Sequence, residues 1–133
     1  MTLAISILSI LVCATIAIKL SRKKDGPKEL CLICEQELSD PHYQDGHAFC
    51  STHLHVYKHG KWKLLHKGNA TSEDPEHGVS IYKAKTLLSQ LEMPCYIVVD
   101  YEFKDENFVT IMSLMVLEEN FERAQTLSKS ILN

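Results

Sequence analysis

The sequence predicts an α+β protein in three parts: a single membrane-spanning helix, a small metal-held finger, and a layer in which strands and helices alternate. Three observations lead there. Residues 2–18 carry no charged side chain, and a basic run follows them at once. Two pairs of metal-ligand residues, Cys31 with Cys34 and Cys50 with His53, are separated by fifteen residues. Beyond residue 60 the apolar period switches between strand and helix in the order β-α-β-β-α. The segments are 1–20 (anchor), 21–29 (basic linker), 30–60 (finger) and 61–133 (α/β layer).

A chain of 133 residues has the length of one ordinary domain. With 45% hydrophobic and 23% charged residues it can bury a core, and its composition is neither that of a disordered chain nor that of a fibre. The formal net charge of -3 argues against a dedicated nucleic-acid binder. Five cysteines, an odd number, exclude a fully paired disulfide scaffold within one chain. The charge is also unevenly divided. Residues 1–28 hold five basic residues and one acid, a charge of +4, whereas residues 29–133 hold nine basic and sixteen acidic residues, a charge of −7.

The anchor is the uncharged run TLAISILSILVCATIAI, 17 residues long. As a helix it spans about 26 Å, close to the hydrocarbon thickness of a bilayer once Lys19 snorkels. No Lys or Arg precedes it, and Lys19, Arg22, Lys23 and Lys24 follow it. The positive-inside rule therefore places the amino terminus outside and the rest of the chain in the cytoplasm. The same four basic side chains can contact anionic lipid headgroups. A cleavable signal peptide is the competing reading, because Thr15 and Ala17 could serve a cleavage site, but the basic n-region such a peptide carries is missing. Asp25-Gly26-Pro27 then ends any helix.

Residues 31–53 read CLICEQELSDPHYQDGHAFCSTH. Thiolate and imidazole donors suit zinc, which prefers four of them in a tetrahedron. A Cys-x2-Cys pair puts two sulfurs on one tight knuckle, and Cys50 with His53 converge on the same ion if they sit on the first turn of a helix. Asp40-Pro41 and Asp45-Gly46 supply turn chemistry for a hairpin between the pairs. His42, His47 and His55 are alternative fourth ligands; His53 is preferred because it completes the pair with Cys50. Four protein ligands make a closed, structural site on which local folding depends, and thiolates fit a reducing cytoplasm. The arrangement resembles a treble-clef zinc finger, the class that includes LIM and RING modules, over residues 30–60. That resemblance implies a knuckle, a hairpin and a ligand-bearing helix, STHLHVYKH.

In the third part, residues 62–66 read as a strand and residues 72–78 as a loop. Residues 79–92 read as a helix with Ile81, Ala84, Leu88 and Leu91 on one face and Lys83 and Lys85 off it. Met93-Pro94 ends that helix. Residues 95–103 (CYIVVDYEF) and 108–117 (FVTIMSLMVL) are β-branched and aromatic strands joined by Asp105-Glu106-Asn107. From Glu118 onward Phe121, Ala124, Leu127 and Ile131 form a helical stripe, with Glu118 and Glu119 at the positive end of the dipole and Lys129 near the negative end. This order is most of a ferredoxin-like split βαβ unit, lacking its last strand. The alternation of Val109, Ile111, Ser113 and Met115 is imperfect, which predicts that the outer sheet face is covered as well, by a partner protein or a second copy. Through Gly68-Asn69-Ala70-Thr71, Glu76-His77-Gly78-Val79 and Met93-Pro94-Cys95-Tyr96-Ile97, residues 62–127 are similar to small bacterial signal-transducing domains. The resemblance implies a ferredoxin-like fold and a regulatory role, with no catalytic residue; together with the anchor it implies a bacterial inner membrane.

No G-x-G-x-x-G, phosphate-binding loop or G-x-S-x-G is present, and the five glycines read as turn residues. Asp100, Glu102, Asp105 and Glu106 read as a solvated hairpin, and Cys95 as a small buried hydrophobe. His55, His59 and His66 with Lys58, Lys61, Lys63, Lys67 and Trp62 read as a solvated surface; anionic lipid is the alternative, and RNA is disfavoured by the charge of −7. The sequence thus implies a membrane-anchored cytoplasmic zinc-binding adaptor or regulatory module, with non-catalytic Zn2+ on Cys31, Cys34, Cys50 and His53 and a protein partner. Two alternatives stay open. One is a zinc-dependent hydrolase with an open coordination position and Glu35 or Glu37 as its base; the other is a redox sensor in which Cys31 and Cys34 cycle with zinc release.

Overall fold

A computed structural model describes residues 26–70 and 76–133. The expected anchor, most of the basic linker and residues 72–75 of the expected loop lie outside the described residues. Among the described residues no helix is long and apolar enough to cross a membrane.

The finger is built from short local elements. A single bridge between Leu30 and Glu37 closes the knuckle. Strands β1 (His42–Gln44) and β2 (His47–Phe49) then pair antiparallel, with Tyr43 opposite Ala48. Asp45 and Gly46 both have positive φ, 51° and 78°, the two-residue turn whose twist matches flanking strands. Helix α1 (Ser51–His59) follows β2 directly, and the Gly60 N–H closes its last turn on the Val56 carbonyl.

The second part is β3 (Trp62–Ala70), α2 (Glu76–Gln90), β4 (Cys95–Lys104), β5 (Asn107–Leu117), one 3-10 turn (Glu118–Asn120) and α3 (Phe121–Leu132). The expected element order is observed, with shifted boundaries. Strand β3 continues past residue 66 because β5 supplies a hydrogen-bonding partner as far as Ala70 opposite Thr110. Gly68 and Asn69 are weak strand formers, and the pairing outweighs their preference. Helix α2 begins at Glu76, inside the expected loop, and ends at Gln90. Past its end the Met93 N–H returns to the Leu88 carbonyl, Glu92 takes φ +57°, and Pro94 prevents continuation.

The three strands lie in the order β3-β5-β4, both pairings antiparallel, so β3 and β4 run the same way on either side of β5. Helices α2 and α3 pack on one face. There Ile81, Ala84, Leu88 and Ala124 meet Cys95, Ile97, Met112, Leu114 and Val116. Two glycines read as turn residues mark close approach instead. A Cβ on Gly78 would sit 3.2 Å from Met112 Sδ and 3.3 Å from Ala70 Cβ, and one on Gly68 would meet the His77 ring at 2.5 Å.

The opposite face carries a second core in which Cys31, Ile33 and Phe49 of the finger pack with Tyr96 of β4. Leu54 and Tyr57 of α1 join it from one side, and Trp62, Val98 and Met115 from the sheet. The expected cover of the outer sheet face is therefore supplied, at this end, by the chain's own finger, a correction to the partner or second copy expected there. The finger, which has little apolar area of its own, and the sheet share one interior. At the far end the β4–β5 hairpin runs free, with Tyr101, Phe103 and Phe108 exposed.

Candidate metal centre

The knuckle is held by backbone bonds. The Cys31 N–H donates to the Gln36 carbonyl at 3.0 Å, and the Glu35 N–H to the Cys31 carbonyl at 2.9 Å. The Leu32 N–H donates to the Ala48 carbonyl at 2.9 Å, tying the knuckle to β2. To close the loop Glu35 adopts φ +58°, a left-handed conformation that costs a non-glycine residue about 1 kcal/mol. The second pair comes from the start of α1. Cys50 is its N-cap, with extended backbone angles of −72° and 162°, and His53 lies in the first turn.

These elements bring Cys31, Cys34, Cys50 and His53 together, with all four donor atoms within 4.8 Å of one another. Cys31 Sγ is 3.9 Å from Cys50 Sγ and 3.7 Å from His53 Nδ1, and Cys50 Sγ is 3.2 Å from His53 Nδ1. Sulfurs bound at about 2.3 Å in a tetrahedron are about 3.8 Å apart, and sulfur–nitrogen edges are slightly shorter. The cluster has the size and donor set of a four-coordinate site and could hold a metal ion. Cys31 is buried and the other three are half-buried.

Protonation follows from the surroundings. Burial pushes the Cys31 thiol up, but backbone N–H groups of Cys34, Cys50 and Ile33 aimed at its sulfur outweigh this and hold it below the usual thiol range. Cys34 is pushed up to about 11 by burial, reinforced by the neighbouring Cys31 and Cys50 sulfurs. Burial lowers His53, which favours the neutral imidazole that ligates metals. Binding a cation here must displace protons from thiols.

The alternative ligands are elsewhere: His42 and His47 are in the hairpin strands, and the His55 ring sits 4.5 Å from that of His59. Both carboxylates considered as general bases are engaged in ion pairs. Glu35 Oε1 is 2.9 Å from Lys85 Nζ, and Glu37 Oε2 is 2.9 Å from Lys28 Nζ. Lys85 also corrects the sequence reading. It was expected off the apolar face of α2, yet it is only 4% exposed, its ammonium donating to the Ile33 carbonyl at 3.3 Å. The spacing of Ile81, Ala84, Lys85 and Leu88 already places it on the buried stripe; only its charge spoke against that position.

Cys95 is fully buried, its sulfur 3.7 Å from Ser89 Oγ and from the Lys85 carbonyl, with burial pushing the thiol up. His66 Nε2 is buried without a hydrogen-bond partner, stacked at 5.8 Å on His77. Burial and His77 lower its pKa, so the ring stays neutral. Lys58, Lys61, Lys63 and Lys67 are exposed, as are Asp100, Glu102, Asp105 and Glu106. Comparison with family models, with curated proteins and with solved structures gives no match.

Proposed function

We propose that the chain is a membrane-anchored zinc-binding adaptor or regulatory module, with structural Zn2+ held by Cys31, Cys34, Cys50 and His53. The observation that carries this reading is the convergence of three thiols and one imidazole within 4.8 Å of one another, two from a knuckle and two from a helix start. The succession of knuckle, hairpin and helix supports the treble-clef reading, and the β3-β5-β4 order with α2 between parallel strands supports that of a ferredoxin-like unit without its last strand. Four protein ligands leave no coordination position for a substrate, and the ion pairs of Glu35 and Glu37 support a non-catalytic site over a hydrolase. The uncharged residues 2–18 and the basic side chains Lys19, Arg22, Lys23 and Lys24 support a single-pass membrane protein with its folded part in the cytoplasm. Tyr101, Phe103 and Phe108 offer a protein partner exposed aromatic area, as an adaptor role requires.

Metal content tests this reading. The full chain, purified in detergent micelles without added zinc, should contain one zinc per chain, and a Cys50→Ala variant should lose both metal and cooperative unfolding. A stably folded parent without zinc would overturn the proposal and put the thiol redox reading in its place.

A further inference from the structure

We infer that Lys85 is a positioning residue of the metal centre, setting its affinity from the α/β layer by holding one peptide unit of the knuckle. The inference rests on the zinc reading above. Its basis is two contacts of one ammonium and a shared peptide. Lys85 Nζ donates to the Ile33 carbonyl at 3.3 Å and pairs with Glu35 Oε1 at 2.9 Å. The Ile33 carbonyl and the Cys34 N–H belong to the same planar trans peptide, so they point in opposite directions and cannot turn independently. Cys34, on the nitrogen side of that peptide, is itself one of the four clustered donors. An ammonium fixed on the carbonyl therefore fixes the peptide unit from which Cys34 offers its sulfur.

The geometry makes this hold directional. Lys85 comes from α2, whose neighbours Ala84 and Leu88 are fixed in the helix–sheet core, and its own side chain is 5% exposed. Glu35, at the left-handed closure of the knuckle, keeps the ammonium over the loop. Partners that orient metal ligands through a second layer of hydrogen bonds change metal affinity by about 10- to 100-fold when removed. Lys85 occupies that role for Cys34, although it lies 51 positions further along the sequence.

The test is zinc affinity of the full chain in detergent micelles, measured by competition with a chromogenic chelator at pH 7, for the parent, Lys85→Met, Lys85→Arg and Glu35→Gln. Cobalt(II) absorption, which reports thiolate geometry, is recorded on each. Lys85→Met should weaken zinc binding by about 10- to 100-fold and change the cobalt bands, and Lys85→Arg should restore most of the affinity. Unchanged affinity and cobalt bands in Lys85→Met would overturn the inference even if its stability drops, since a mere clamp between elements would move stability alone. Should Lys85→Met fail to fold, Glu35→Gln carries the test: weakening of about tenfold supports the inference, and parental affinity overturns it. A parent that takes up neither zinc nor cobalt would overturn the zinc reading itself, and the inference with it.

Discussion

The ring of Tyr57, on the finger helix, lies 5.5 Å from that of Tyr96, at the start of edge strand β4, in an edge-on arrangement. Phe49 stands 4.6 Å from Tyr57, and Trp62 stands 4.8 Å from Tyr96, so four aromatic rings run continuously from the hairpin of the finger into the sheet. The Trp62 indole N–H donates to the Tyr57 carbonyl at 3.1 Å, which fixes the seam where α1 passes into β3. Through this seam the candidate metal centre and the α/β layer share one interior.

Tyr96→Ala removes the middle of the seam. Tyr96 is 7% exposed, and truncating a large buried aromatic costs about 3–5 kcal/mol. Urea unfolding followed by circular dichroism should show that loss, together with separation of one transition into two as finger and layer uncouple. A single transition at the parent's midpoint would contradict the shared core.

Metal removal should be visible at Trp62, the one tryptophan of the chain. Chelation takes away the constraint on Cys31, Cys34, Cys50 and His53, and with it the packing of Ile33 and Phe49 against Tyr96. Trp62 emission should move to longer wavelength, while the layer holding Ile81, Leu88 and Leu114 keeps its helical signal. Readdition of zinc should reverse the shift, and emission unaffected by complete metal removal would argue that the seam stands without the ion.

Alkaline stability should depend on Tyr57. Burial, aided by its hydrogen bond of 3.0 Å to Asp45 Oδ2, pushes the hydroxyl up to about 12 from the usual 10.0. A group whose folded pKa is raised stabilises the fold fully below its unfolded pKa and loses that contribution as pH rises through the folded one. Tyr57 therefore contributes below pH 10 and ceases to do so on passing about pH 12. Unfolding free energy measured from pH 9 to 12 should fall less steeply in Tyr57→Phe than in the parent.

The thiols should sort into two groups by reactivity. Cys95 is fully buried and its thiol is pushed up by that burial, so it should react with a thiol reagent only on global unfolding. Cys31, Cys34 and Cys50 should be protected by zinc and react once it is chelated. In a Cys13→Ser background the count of fast thiols after chelation should thus be three, and rapid labelling of Cys95 in the native state would contradict its place in the core.

Much of the candidate site was legible because its determinants are local. Cys31 with Cys34, and Cys50 with His53, are near neighbours in sequence, and a knuckle or one helical turn converges each pair without help from distant residues. The Asp45-Gly46 turn was legible for the same reason, since two positive φ values select those residues. Boundaries were less so. Strand β3 reaches Ala70 because of its partner strand, and α2 starts at Glu76 within a stretch rich in turn formers. Lys85 escaped because a lysine on a buried stripe makes sense only once Ile33 and Glu35 are in place to receive its ammonium.

Sequence alone determined the candidate donor set and its pairing, the order of strands and helices, and the Asp45-Gly46 turn, all of which depend on side-chain chemistry within a few positions. Tertiary structure decided what covers the second face of the sheet, which glycines mark helix–sheet contact, and where the charge of Lys85 goes. The physical reason is that burial and charge pairing between distant segments depend on how separate surfaces meet, and apolar periodicity states that a face is buried without stating against what.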